Sequence, residues 1–120
     1  MSVDLLEVSE EVSSLVNASK TIYFVDRREI ALDLLKRGTE GKVIASSKDA
    51  VLEAVDEPLR LRVPEITPTN PTKYAVMKLI DKGLVDVGDT VVCVLKRFAP
   101  LDTIYIVSVG QSMNCLLYTS

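Results

Sequence analysis

The sequence predicts an α/β fold, a three-layer α/β/α sandwich around a five-stranded mixed sheet of order 3-2-1-4-5 with strand 5 antiparallel. Three observations carry that expectation. Helical and strand patterns alternate along most of the chain, which favours a mainly parallel sheet joined by right-handed crossovers with helices on both faces. Residues 90–95 (Thr-Val-Val-Cys-Val-Leu) are almost continuously apolar, as in a strand buried on both faces, whereas residues 59–63 (Leu-Arg-Leu-Arg-Val) alternate as a half-exposed edge strand does. The short gap between the last two strands favours a hairpin, and so an antiparallel pair.

The elements follow in order. Leu5, Leu6, Val12, Leu15 and Val16 fall at mostly helical spacing and predict an amphipathic helix over residues 1–16. Residues 21–25 (Thr-Ile-Tyr-Phe-Val) form the first strand. Asp26 with Glu29 three positions on has the pattern of a capping box, and residues 30–37 supply a helix that Gly38 can close. Residues 42–45 form the second strand, Ser46 and Ser47 are candidate N-caps, and residues 49–55 form a helix with Val51, Leu52 and Val55 inward. Pro58 ends it. After the edge strand, Pro64, Pro68 and Pro71 mark an irregular loop in which Asn70 caps a helix beginning at Pro71. That helix runs to about Lys82 with Ala75, Val76, Leu79 and Ile80 inward, and Gly83-Leu84 has the form of a Schellman ending. Residues 90–95 then give the central strand and 103–109 the last.

Composition narrows the function. The chain has 120 residues, 48% hydrophobic, and a net charge of -3 without a basic run, so it is one domain with no footprint for nucleic acid or an anionic membrane. No apolar run approaches membrane-spanning length and the N-terminus is acidic, so a cytoplasmic location is expected. With no His, imidazole catalysis and His metal ligation are excluded. Cys93 lies in an apolar strand pattern with no base to activate it, and with Cys115 it makes neither a disulfide framework nor a metal site.

Residues 115–120 (Cys-Leu-Leu-Tyr-Thr-Ser) resemble the translation of a transposon-end adapter used in sequencing libraries, TGT CTC TTA TAC ACA TCT. The expected domain is therefore residues 1–114, followed by a non-native tail, with the gene's own continuation missing.

Residues 82–94 (Lys-Gly-Leu-Val-Asp-Val-Gly-Asp-Thr-Val-Val-Cys-Val) are similar to the Gly-Leu-Ile…Gly-Asp-x-Val-Val signature of the pyruvate kinase C-terminal domain superfamily. Within it, residues 59–110 most resemble the N-terminal domain of archaeal-type diadenylate cyclases, which make cyclic di-AMP from two ATP. The likeness lies in Arg62-Val63-Pro64-Glu65, the Pro/Thr loop and its helix, Gly88-Asp89-Thr90-Val91-Val92, and Leu101-Asp102-Thr103-Ile104 leading to Val107-Ser108-Val109-Gly110. The resemblance implies an accessory domain whose partner is a missing C-terminal catalytic domain bearing Asp-Gly-Ala and Arg-His-Arg motifs, which this sequence lacks. ATP and a divalent metal are implied for that domain and no cofactor for this one. The alternatives are an effector-binding module like the pyruvate kinase C-terminal domain, or a stand-alone interaction domain.

No catalytic constellation is present. Ligands of open α/β sheets bind beyond the carboxyl ends of the strands. There Ser46, Ser47 and Lys48, with Arg27, are the candidate anion-binding residues, offering hydroxyls, a helix N-terminus and cations to a small phosphorylated ligand. Simple helix capping is the competing role of the serines.

Overall fold

The computed structural model describes residues 5–57, 59–64, 71–95, 103–109 and 116–119. Asn70 and the Pro/Thr loop, both read from the sequence, lie outside them. The elements are α1 (Leu5–Leu15), β1 (Lys20–Phe24), α2 (Arg28–Lys36), β2 (Lys42–Ser46), α3 (Asp49–Glu53), β3 (Arg60–Arg62), α4 (Pro71–Asp81), β4 (Thr90–Leu95), β5 (Thr103–Ser108) and β6 (Leu116–Thr119).

The strands form one sheet of order β3-β2-β1-β4-β5-β6. β1, β2, β3 and β4 run parallel to one another, and β5 is antiparallel to β4. The expected order 3-2-1-4-5 is therefore the observed one, with β6 added beside β5. Register places Thr21 of β1 opposite both Lys42 and Val92, so β1 and β4 occupy the centre. Alternate strand residues then feed two cores. Ile22, Phe24, Val43, Ala45, Val91 and Cys93 pack beneath α4, with Val76 and Leu79 of that helix fully buried. Tyr23, Ile44, Val92 and Val94 face the opposite layer, where Leu34 of α2 and Val51 of α3 are buried and Val8 and Val12 of α1 pack against them. This division follows from right-handed crossovers. The chain steps one way through β1, β2 and β3, then back across β1 to β4, so α4 must cover the other face.

Local chemistry sets the ends. Leu84 N–H donates to Leu79 O at 2.9 Å and Gly83 N–H to Ile80 O at 3.0 Å, with Gly83 at φ 75°, which is the Schellman geometry expected from Gly83-Leu84. The turn into β4 is held by Asp86 N–H donating to Asp89 Oδ2 at 2.8 Å, with Gly88 at φ 96°.

Three sequence expectations need correction. The Asp26–Glu29 capping box does not form: the N-cap of α2 is Arg27, without a side-chain cap. Neither Ser46 nor Ser47 caps α3, whose N-cap is Lys48; the Ser46 Oγ instead accepts the Lys48 N–H at 3.0 Å. At Ser46 a nearer backbone N–H captures the side chain that the sequence spacing assigns to a cap. Leu15, placed on the apolar face of the first helix, is 86% exposed, because the seam against the sheet runs through Val8, Ser9, Val12 and Val16. Residues 116–119 pair with β5 from Tyr105↔Thr119 to Ser108↔Leu116. An apolar β-prone segment near an open strand edge makes such a pairing whatever its origin.

Candidate functional site

The sheet's carboxyl end collects short loops after β1 and β2. α2 leaves β1 toward β2, whereas the chain reaches β4 from the other face, so the topological switch point lies between the ends of β1 and β4. Asp26 stands there, half-buried, with its Oδ1 enclosed and without a hydrogen-bond partner among the described residues.

The structure separates the four candidate anion-binding residues. Ser46 is 3% exposed and its hydroxyl is engaged by the Lys48 N–H, so it faces no open ligand space. Arg27 and Lys48 are exposed at the starts of different helices, and α3, at five residues, is too short to concentrate much dipole charge at its N-terminus. Ser47 joins a cavity. It lines a recess of about 370 Å³ with Arg62, Val63, Pro64, Tyr74 and Lys78. The Lys78 ammonium lies 5.7 Å from the centre of the Tyr74 ring, a cation–π distance that the i,i+4 spacing on α4 brings about. Two cations, a hydroxyl and an aromatic face therefore converge there, which suits an anionic group attached to a planar or apolar body.

Arg62, Tyr74 and Lys78 were not singled out by sequence. The alternation in β3 showed only that Arg62 points outward, and α4 is brought beside Ser47 by the sheet order. Arg62 also forms an ion pair with Asp49, and Arg60 with Glu57 at 3.2 Å, so part of the cationic charge on this edge is already neutralised. Both pairs are exposed. Arg62→Ala should therefore lower stability by less than about 1 kcal/mol, read from the urea midpoint.

A second polar group lies between α1 and β1. The Ser9 and Tyr23 hydroxyls are 3.0 Å apart, those of Ser13 and Thr21 2.6 Å, and both pairs tie α1 to β1. Burial pushes the Tyr23 phenol above its ordinary value of 10.0; the Ser9 hydrogen bond opposes the shift, Glu10 adds to it and Arg37 opposes it. Below pH 10 the phenol is protonated in both folded and unfolded chains, and its contribution to stability is constant. As pH rises past 10 the unfolded chain ionises first, so stability falls until the folded phenol also ionises. Urea unfolding across this alkaline range should show that slope in the unmodified chain and a shallower one in Tyr23→Phe.

Among the described residues no helix is long and apolar enough to cross a membrane, and no group of three or more His, Cys, Asp or Glu side chains is placed to hold a metal ion. Cys93 is fully buried.

No family model and no curated protein matches the chain. Among solved structures it is similar to Cryptosporidium parvum pyruvate kinase in complex with ADP, with a TM-score of 0.61, 15% identity, and coverage of 98% of this chain and 24% of that one. The chain spans about a quarter of that enzyme's length. At this identity the likeness carries the fold, a pyruvate kinase C-terminal-like sandwich.

Proposed function

We propose that this chain is an accessory regulatory domain of a diadenylate cyclase and carries no catalysis of its own. The observation that supports this reading most is the joining of two features. Residues 59–110 resemble the accessory domain of archaeal-type cyclases, and the described residues adopt a pyruvate kinase C-terminal-like sandwich, with β3-β2-β1-β4-β5 in the order the resemblance implies. Making cyclic di-AMP requires each 3′-hydroxyl to attack the α-phosphate of the other ATP, with metal ions and in-line alignment. Those tasks fall to a separate catalytic domain. This one holds, assembles or tunes it. The gene beyond the Asn114 codon tests the reading: Asp-Gly-Ala and Arg-His-Arg motifs in a following domain support it, and a stop codon there favours a terminal effector module instead.

The recess of Ser47, Arg62, Tyr74 and Lys78 favours a second reading, an effector module for a phosphorylated metabolite. On that reading a sugar phosphate shifts the Ser47 and Lys78 amide resonances, and Arg62→Ala weakens binding by about tenfold, as loss of one charge-assisted contact does. Shifts confined to other loops count against it.

A further inference from the structure

α1 is held to the sheet differently from the other helices. Leu34 of α2, Val51 of α3, and Val76 and Leu79 of α4 are 1% exposed or less. The described apolar side chains of α1 bury less: Val8 and Val12 are only partly buried against the core, and Leu15 is 86% exposed. Polar contacts take their place, Ser9 with Tyr23, Ser13 with Thr21, and Glu10 with Lys42 at 3.7 Å.

The helix has little stability of its own. It spans 11 residues, fewer than the roughly 12–15 below which an isolated helix is marginal in water. Val8, Ser9, Val12, Ser13 and Ser14 also have lower helix propensity than Ala or Leu. A defined hinge follows it. Asn17 sits at φ 55°, a left-handed conformation that Asn accepts, and the Ala18 N–H closes the helix on Ser13 O at 2.9 Å. Two residues after Asn17, the Ser19 N–H donates to Thr90 O at 2.8 Å, which fixes the chain to β4. Beneath α1, Tyr23 also packs in the cluster with Ala31, Leu34 and Val51, so this core keeps its α2 and α3 cover when α1 departs.

We propose that α1 is a lid, which swings off the sheet as one unit about Asn17 while the rest of the domain stays folded, and uncovers Thr21, Tyr23 and Lys42. With the lid closed these three are 7%, 1% and 8% exposed. A segment with few buried apolar contacts opens at a lower free energy than the central strands, and the hydroxyl pairs set how far the closed state is favoured. The lid does not depend on the function proposed above.

The test is native-state hydrogen exchange of the full chain, followed amide by amide by NMR in urea below the unfolding midpoint. The amides of residues 12–16 should share one opening constant, about a hundredfold or more above that of Val92 and Val94 in β4, with a urea slope above zero and below the global one. Val76→Ala, on the helix covering the other face, should speed exchange in β4 about tenfold and leave residues 12–16 within about twofold, because opening of α1 keeps α4 in place. Tyr23→Phe should speed exchange in α1 about fivefold, through loss of the Ser9 hydrogen bond. The unmodified chain carries the test if Val76→Ala fails to fold. A common opening constant and slope for α1 and β4, graded α1 rates without urea dependence, equal acceleration of both by Val76→Ala, or unchanged α1 rates in Tyr23→Phe overturns the proposal.

Discussion

Replacing Leu34 with alanine is expected to lower the unfolding free energy by about 3 kcal/mol. Leu34 is fully buried on α2 and packs in the cluster containing Tyr23, Ile44 and Val51, so it joins the helix layer to β1 and β2. The substitution removes apolar surface from the core and leaves a cavity that flanking β-strands cannot easily close. Leu32, two positions away on the same helix, is 40% exposed. Its alanine variant should change stability by no more than about 0.5 kcal/mol. The two urea midpoints at equal m-value give the comparison directly. Equal losses would mean that α2 does not present the Ala31–Leu34 face to the sheet.

A proline at Val92 should cost at least about 3 kcal/mol or prevent folding altogether. Val92 is fully buried and lies opposite Thr21 of β1 and Ile106 of β5, so its strand is hydrogen-bonded on both sides. Proline removes a ladder donor and its ring disturbs the neighbouring strand. β3 offers the contrasting case. Val63 N–H donates to Ser46 O and Ile44 N–H to Leu59 O, and the alternation of a parallel ladder then turns the Arg62 N–H toward the open edge. Arg62→Pro should therefore cost about 1 kcal/mol or less. Far-UV circular dichroism and urea unfolding of the two variants test which strand is central. Equal tolerance at both positions would contradict the strand order.

Patterns that depend on continuous burial were legible in the sequence. The uninterrupted Val91–Val94 run and the alternation around Arg60 and Arg62 placed the centre and one edge of the sheet, and Gly83-Leu84 placed the end of α4. Helix N-caps were not. Asp26 with Glu29, and Ser46 with Ser47, have cap spacing, yet Arg27 and Lys48 occupy the N-cap positions. Leu15 shows the related limit of a short amphipathic pattern: the apolar stripe includes it, but the docking seam is partly polar, through Ser9 and Ser13, and rotates it outward. The recess was half legible. Ser47 follows from the strand-end rule, whereas Arg62, Tyr74 and Lys78 reach it only because β3 and α4 flank the end of β2. Lys42 read as the polar first residue of a strand, and nothing local marked it as buried, since the cover comes from α1, which is distant in sequence.

Dependence on a separate catalytic domain is tested most directly by synthesis of cyclic di-AMP. The purified 120-residue chain is incubated with ATP and Mn²⁺ or Mg²⁺, alongside a cyclase domain alone and the two joined as one chain, and product is measured by mass spectrometry. No product is expected from the chain alone, and the joined protein should make it at a rate different from that of the bare cyclase domain. Product from the chain alone, or identical rates with and without it, would contradict a noncatalytic regulatory role.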